Sequence, residues 1–323
     1  MANRCEETWG NPTEGGVAEA WRAITRRTIY EVNGATETSM SVALPRHHRT
    51  LWWKEVLIIT IFYIVYTLIR NRFGSAFVNG EDRPVHAFTN AMRVIRLERF
   101  IGLYHEESIQ DFFLPHVWFI KLMNTYYGTA HFFVTLTVFV LLFKRRPDVF
   151  GQWRNTLAGM TGLAIIGFVL FPLMPPRLLD APCPLNGVGF GGACIESPLR
   201  NYNGAENFGF IDTVDEFGGP LSFNDGAAAK VSNQYAAMPS LHIGWSTWCV
   251  FAMWPLAKRR WTRVALFLYP MTTLFCIVVT ANHFWVDGIG GLMVFAVGYV
   301  LGTWLHNWNH RRLDARMASH PAL

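Results

Sequence analysis

The sequence predicts an all-α integral membrane protein: a six-transmembrane-helix bundle with interfacial helices and an extracytoplasmic loop or cap. Of the 323 residues, 51% are hydrophobic and only 16% are charged, whereas a soluble domain averages about 25% charged residues. Six segments stay apolar long enough to cross a bilayer, which takes roughly 20 residues. Basic residues gather at the ends of these segments. An aromatic content of 15% excludes intrinsic disorder.

The six predicted spans follow one another from residue 51 to residue 305. In chain order they are Leu51–Ile69, Tyr126–Phe143, Asn155–Met174, a part of Val231–Ala257, Val264–Asn282 and Phe284–Leu305. The first carries Lys54 and Glu55 near its start, and the last carries one acid, Asp287. The first 50 residues are polar and have no apolar core, so we expect no signal peptide there.

The short basic loops predict the orientation of the bundle. Cytoplasmic loops carry the excess of Lys and Arg, and three basic groups fall on one side of a six-span bundle. These groups are Lys144, Arg145, Arg146 and Arg154; Lys258, Arg259, Arg260 and Arg263; and Arg311, Arg312 and Arg316. We therefore expect cytoplasmic tails at 1–50 and 307–323, a membrane-embedded domain at 51–306, and extracytoplasmic segments at 71–125 and 175–240. The expected location is a bacterial inner membrane or its equivalent.

The net charge of +5 and the pI of about 9.0 do not indicate nucleic-acid binding. The basic residues sit at span ends, and the sequence has no zinc-finger spacing, RNA-binding aromatic motif or basic stripe. Membrane lipids are the expected surroundings, and no nucleic-acid partner is expected.

The first outer segment predicts two further elements. Between Val85 and Leu103, apolar residues share one helical face while arginines recur every third residue, which is typical of a helix on the membrane surface. The apolar residues are Phe88, Met92 and Ile95, and the arginines are Arg93, Arg96 and Arg99. Phe112–Met123 is apolar but short, so we interpret it as interfacial or re-entrant.

The second outer segment holds two cysteines, Cys183 and Cys194, close together in sequence. In an oxidising compartment such cysteines form disulfides. A disulfide and two free thiols both remain open for this pair.

His283 and Asp287 are the first candidate for chemistry, because ionisable groups at membrane depth are costly and usually functional. They are four residues apart, a spacing that puts both side chains on one face of a helix. A carboxylate beside an imidazole fixes the tautomer of the ring, as in nucleophilic and general-base sites. The alternative is a structural His–Asp pair that closes a helix end.

His242 is the second candidate, and it follows a helix-start signal at Pro239-Ser240. The backbone N–H groups at Ser240 and Leu241 would face an anion such as phosphate, as helix N-termini do. His242 could then protonate a leaving oxygen. The alternative is an ordinary capped helix with an interfacial histidine.

Arg177 follows two prolines at the end of the predicted third span. An arginine there could bind phosphate bidentately, or it could anchor the span among lipid headgroups. The predicted topology puts Arg177, His242, His283 and Asp287 at the same outer face of the membrane, although the topology itself uses none of them.

Together these motifs resemble the type 2 phosphatidic acid phosphatase superfamily, and most closely the branch that includes inositol phosphorylceramide synthases. The matching elements are Pro175-Pro176-Arg177, Ala237-Met238-Pro239-Ser240-Leu241-His242 and His283-Phe284-Trp285-Val286-Asp287. The resemblance covers roughly residues 50 to 305. Any one motif is a weak signal, whereas three in order with a consistent topology are a strong one.

The resemblance implies a membrane enzyme that cleaves a lipid phosphate ester or diphosphate, without a metal or cofactor. His283 would attack phosphorus and become a phosphohistidine, with Asp287 orienting it. His242 would protonate the leaving group, and Arg177 with the N–H groups at Ser240 and Leu241 would hold the phosphoryl oxygens. Water, or an acceptor alcohol in a headgroup-transferring synthase, would release the phosphate.

The sequence departs from the commonest family pattern in its cations. The lysine that usually precedes an Arg-Pro pair is missing, and Ile277 stands where an arginine usually lies six residues before the nucleophile. Lys230, or one of the arginines at 93, 96 and 99, is a candidate replacement. His131 and Tyr127 are candidates for a substrate pocket, with a structural role for His131 as the alternative.

Two other classes of function remain open. A transporter could use the histidines and the aspartate as a proton relay, but these groups cluster at one face and no inverted repeat is apparent. A non-catalytic membrane scaffold would explain the missing cations. The enzyme is the leading hypothesis, with a lipid phosphate as its substrate.

Overall fold

The chain divides into two units, residues 1–48 and 49–323. The computed structural model describes residues 82–179, 208–218 and 235–319, with six positions between 53 and 64, and all of these belong to the second unit. Every regular element in these ranges is a helix. Extended pairing among the described residues is limited to one parallel bridge, between Leu173 and Ala236.

Eight α-helices are numbered here in chain order within the described ranges from residue 82 onward. They are α1 (Asp82–Ile101), α2 (Glu106–Phe113), α3 (Val117–Arg145), α4 (Pro147–Leu170), α5 (Thr213–Phe217), α6 (Leu241–Met253), α7 (Arg260–Val279) and α8 (Trp285–Ser319). Two short 3₁₀ helices, Pro176–Leu179 and Trp254–Leu256, follow α4 and α6. The described positions between 53 and 64 are also helical.

Three of the described helices are long and apolar enough to cross a membrane. They are Val117–Arg145, Arg260–Val279 and Trp285–Leu313. Their outward faces expose large apolar side chains, among them Phe133 and Leu136 on α3, Phe267 on α7, and Val300 and Trp304 on α8. Soluble proteins rarely expose contiguous apolar surface on this scale, so the fold is that of a membrane protein.

In the described residues, the other three predicted spans do not form helices that are both long enough and apolar enough to cross a membrane. Helix α6 has 13 residues and is about 20 Å long, whereas a bilayer core is about 30 Å thick. It begins only at Leu241, because the chain from Tyr235 to Ser240 is irregular. Helix α4 is long enough, but its first two turns carry Asp148 and Arg154. Most of the predicted first span lies outside the described residues.

One predicted segment is wrong. Phe112–Met123 is not a single interfacial or re-entrant segment, because α2 ends at Phe113 and α3 begins at Val117. Pro115 lies between them and lacks the N–H that a continuous helix would need. Residues 117–123 are therefore the first two turns of a candidate span. At the other end of the chain, α8 is continuous to Ser319, so the predicted tail from 307 begins within a helix.

The helix predicted between Val85 and Leu103 is confirmed as α1, and so is its apolar face. Phe88, Met92 and Ile95 are buried, while Arg93 and Arg96 are exposed. The buried face belongs to a core cluster that includes Leu173, Phe210 and Phe284. The apolar side of α1 therefore packs against other parts of the same chain.

A buried ion pair explains the acid in the first predicted span. The Nη1 of Arg154, on α4, donates to both carboxylate oxygens of Glu55 at 2.6 Å. Glu55 is buried, whereas its neighbours Leu57 and Ile61 are about half exposed. Because a buried charge without its partner is strongly destabilising, this pair ties the first helical segment to α4.

Helix α8 packs closely against α4 through two glycines four residues apart. A Cβ at Gly302 would collide with the backbone N of Thr156, and one at Gly298 would collide with the backbone of Met160. Small residues at this spacing let membrane helices approach closely. The Gly298–Gly302 pair thus forms the close contact between α8 and α4.

We expect Gly302→Ala to destabilise the protein by about 1–3 kcal/mol, because the new methyl group has no space and the two helices must move apart. The matched control is Gly162→Ala on α4, where a Cβ would meet nothing within 4 Å. Thermal unfolding in detergent measures both variants. Equal midpoints for the two would show that the close approach of α4 and α8 contributes nothing to stability.

Candidate active site

His283 and Asp287 form a buried pair where α8 begins. After α7 ends, the backbone N of His283 donates to the carbonyl of Ile277 at 3.1 Å. Asp287 Oδ2 contacts His283 Nδ1 at 3.2 Å and accepts from the backbone N–H of Phe284 at 3.0 Å. Asp287 therefore both caps the start of α8 and orients the imidazole of His283. With Nδ1 donating to Asp287, the lone pair of the ring lies on Nε2.

The N-terminus of α6 lies directly against this pair. The backbone N of Ser240 donates to the carbonyl of Asp287 at 3.0 Å. Ser240 occupies the N-cap position, as predicted, but its side chain makes no capping bond, and its buried Oγ has no partner among the described residues. Gly291 permits the close approach, because a Cβ there would collide with the carbonyl oxygen of Ser240.

His242, in the first turn of α6, lies inside a group of rings. Its ring stacks on Tyr127 with centroids 4.5 Å apart, and its centroid is 4.4 Å from that of His131 and 5.4 Å from that of His283. His131 Nδ1 contacts the carbonyl of Tyr127 at 3.0 Å. Helix α3 thus brings Tyr127 and His131 to the two histidines. In the described ranges, no group of His, Cys, Asp or Glu side chains has a geometry that could hold a metal ion.

Arg177 reaches the same region from the 3₁₀ helix after α4. Its backbone N donates to the carbonyl of Ala281 at 2.8 Å, which places it beside the turn that carries His283. Its Nη1 donates to Asp212 Oδ2 at 2.5 Å. The buried Nε–H of the guanidinium has no acceptor within the described ranges.

The candidates named from the sequence divide into three sets. Those that the structure brings together are His283, Asp287, His242, Ser240, Leu241, Arg177, Tyr127 and His131. Lys230, Cys183 and Cys194 lie outside the described residues. The third set is the arginines of α1: Arg93 and Arg96 are exposed, and the Arg99 guanidinium lies over the ring of Tyr104 at 4.5 Å.

Ile277 packs in an apolar cluster at the position where the family pattern has a cation. It is fully buried and clusters with Ile243 and Val278, against Tyr127 and Trp285. The described part of the site therefore has a single arginine, Arg177, and that arginine already shares its charge with Asp212.

Two buried glutamates cap the start of α8 and were not found from the sequence. Glu98 Oε1 accepts from the backbone N–H of Val286 at 2.8 Å, and Glu106 Oε1 accepts from that of Trp285 at 3.3 Å. Burial raises the pKa of Glu98 to about 10, and the carboxyl of Glu106 adds to the shift. The sequence does contain a signal for the burial of Glu98: its spacing continues the buried face of α1, which includes positions 88, 91, 92 and 95.

The two helix starts at the site therefore differ in what they can bind. At α8, the N–H groups of Phe284, Trp285 and Val286 all donate to carboxylates. At α6, the N-cap side chain leaves the N–H groups of the first turn uncapped. Helix N-termini with unoccupied N–H groups attract anions, and of these two helix starts it is that of α6 that has no side-chain cap.

A family model described as the PAP2 superfamily matches residues 92–301, well over half of the chain. The match includes every site residue named above. Neither the curated proteins nor the solved structures include a significant match to the chain.

Proposed function

The chain belongs to the PAP2 superfamily, a family of phosphatase-type phosphoesterases, and on this premise we propose that it cleaves or transfers a phosphoryl group of a membrane lipid through a phosphohistidine at His283. The observation that carries the proposal is the meeting of the buried His283–Asp287 pair with the open N-terminus of α6, where the Ser240 hydroxyl has no partner in the described ranges.

In the proposed mechanism His283 is the nucleophile. Its Nε2 lone pair attacks phosphorus, the bond from phosphorus to the leaving oxygen breaks, and a phosphorus–nitrogen bond forms. The positive charge that develops on the ring is stabilised by Asp287 through Nδ1–H. His242 donates a proton to the leaving oxygen and later accepts one from the incoming water or alcohol.

The phosphoryl oxygens are proposed to lie at the start of α6. The N–H groups of Leu241 and His242, the hydroxyl of Ser240 and the unused Nε of Arg177 would supply the donors. No step in this scheme requires a metal. Tyr127 and His131 would form the wall of the substrate pocket on the side of α3.

The charge of the described site favours a phosphodiester substrate, and hence the headgroup-transferring branch of the family. A phosphodiester carries one negative charge, whereas a monoester carries nearly two at neutral pH. The described site offers one arginine, and Asp212 neutralises part of its charge. We therefore propose transfer of a phosphorylated headgroup, as in inositol phosphorylceramide synthases, ahead of hydrolysis of a phosphomonoester.

The site is proposed to face the extracytoplasmic side of a six-span bundle. The three candidate spans would supply half of that bundle, and the basic residues at 144–154, 258–263 and 311–316 would give its orientation. The proposed domain division keeps tails at 1–50 and 307–323 on the cytoplasmic side of a membrane domain at 51–306.

Vanadate tests the phosphoryl site without knowledge of the lipid. We expect vanadate at about 100 times its Kd to stabilise the purified protein against thermal unfolding by about 2.7 kcal/mol, because it binds the pocket as a phosphate analogue. His283→Ala should lose this protection, and His116→Ala, at an exposed histidine, should keep it. Equal protection of all three proteins would place vanadate elsewhere and contradict the proposal.

A product assay separates transfer from hydrolysis. Purified protein is given a labelled phosphodiester lipid with and without an acceptor alcohol and, in a parallel reaction, a labelled phosphomonoester lipid. A new phosphodiester that forms only with the acceptor supports transfer, whereas release of phosphate from a monoester at a higher rate than any transfer contradicts it.

A further inference from the structure

Helix α8 begins with three consecutive backbone N–H groups that each donate to an acid from a different position in the chain. Phe284 donates to Asp287 in α8 itself, Trp285 to Glu106 in α2, and Val286 to Glu98 in α1. His283 directly precedes these residues. The outer helices α1 and α2 thus hold the turn that carries the proposed nucleophile.

Glu98 and Glu106 are both fully buried, and they lie next to each other. Glu98 Oε1 accepts the N–H of Val286, while Oε2 has no N–H or hydroxyl donor among the described residues. Glu98 and Glu106 accept from the neighbouring N–H groups of Val286 and Trp285, so their carboxyl groups lie side by side. Two buried carboxylates side by side disfavour each other's charged form, and burial together with Glu106 raises the pKa of Glu98.

The surroundings of the pair favour one shared proton. Glu98 faces two other acids, Glu106 from α2 and Asp287 from α8, and both disfavour its ionisation. Arg99, beside Glu98 on α1, lies over the ring of Tyr104. The positive end of the α8 dipole stabilises the one negative charge that remains.

We propose that Glu98 and Glu106 hold one proton between them and act as a positioning pair, which fixes the first turn of α8 and with it the orientation of His283 toward the phosphoryl group. The inference rests on the proposed function of His283. Neither glutamate touches the reacting atoms. Their effect on the reaction passes through the backbone of Trp285 and Val286, and from there to the His283–Asp287 hydrogen bond.

The kinetic test compares Glu98→Gln with Glu98→Ala. Glutamine reproduces the protonated acid, because its oxygen accepts the N–H of Val286 and its amide donates to Glu106. We expect Glu98→Gln to keep most of the wild-type kcat. Glu98→Ala should lower kcat by about 100-fold, since a nucleophile displaced by about 1 Å loses that much, while KM stays near the wild-type value. The control is Asp111→Asn, at an exposed acid of α2.

Thermal unfolding between pH 6 and pH 9 tests the shared proton separately. The pKa of Glu98 is raised from 4.5 to about 10 in the folded protein, so unfolding releases a proton within this window, and the free energy of unfolding falls as pH rises. One proton corresponds to an unfolding constant that rises up to about tenfold per pH unit. Glu98→Gln should remove this contribution and give a flatter pH dependence than the wild type and Asp111→Asn.

The outcomes distinguish the inference from the proposed function. If the wild type turns over no lipid phosphate, the proposed function fails, while the pH series still tests the pair. If Glu98→Gln unfolds with the same pH dependence as the wild type, the shared proton is absent. If Glu98→Ala keeps its kcat, or if Glu98→Gln loses as much as Glu98→Ala, the pair does not position His283, and the inference is overturned.

Discussion

Replacing His283 with alanine should reduce the turnover of lipid phosphate esters by roughly 10⁴-fold or more, down to the background rate. The imidazole is the group proposed to bond to phosphorus, and its buried position against Asp287 leaves no room for another side chain to take its place. The variant should fold, because α8 keeps its caps from Glu98, Glu106 and Asp287 at the following N–H groups.

The measurement is steady-state turnover of purified protein in lipid–detergent micelles, combined with a search for labelled protein after a short incubation with ³²P-labelled substrate. Wild-type protein should carry an acid-labile label, and His283→Ala should carry none. His116→Ala serves as the matched control and should behave as the wild type does. Substantial activity in the His283 variant would rule out the phosphohistidine mechanism.

Replacing His242 with alanine should lower turnover by about 10²–10⁴-fold on natural lipid esters, which is the usual contribution of a general acid. The loss should be far smaller on a p-nitrophenyl ester, since p-nitrophenolate departs without a proton. This dependence on the leaving group follows from the role proposed for the ring, which lies 5.4 Å from that of His283.

The comparison of the two substrates is the decisive measurement for His242. A loss of the same size on both esters would show that the ring serves only to shape the pocket, for example through its stacking on Tyr127. His131→Ala is an informative companion variant, because it removes another ring neighbour of His242 without removing the proposed acid. Its loss should be similar on both substrates.

The elements that depend on local pattern could be predicted from the sequence. The hydropathy of α3, α7 and α8 identifies them as candidate spans, and the spacing of Phe88, Met92 and Ile95 identifies the buried face of α1. The approach of His242 to His283 followed from the topology, because the basic loops put both helix starts at one face. These predictions needed no knowledge of which helix packs on which.

The rest depends on contacts between distant parts of the chain. Asp212 pairs with Arg177, 35 positions away in the sequence, and Glu98 accepts from the N–H of Val286, 188 positions away. No local sequence pattern predicts either contact. The short length of α6 follows from the irregular chain before Ser240. Pro115 is a different case, because a proline between two apolar stretches is a visible signal that separates α2 from α3.

The hydrogen bond from Ser240 to the carbonyl of Asp287, with Gly291 packed beneath it, has a consequence for how such an enzyme can diversify. The spacing between the start of α6 and the proposed nucleophile His283 depends on this main-chain hydrogen bond and on the absence of a side chain at Gly291. On the proposed function, new headgroup or tail preferences would therefore arise more readily on α3, at Tyr127 and His131, than at these two helix starts.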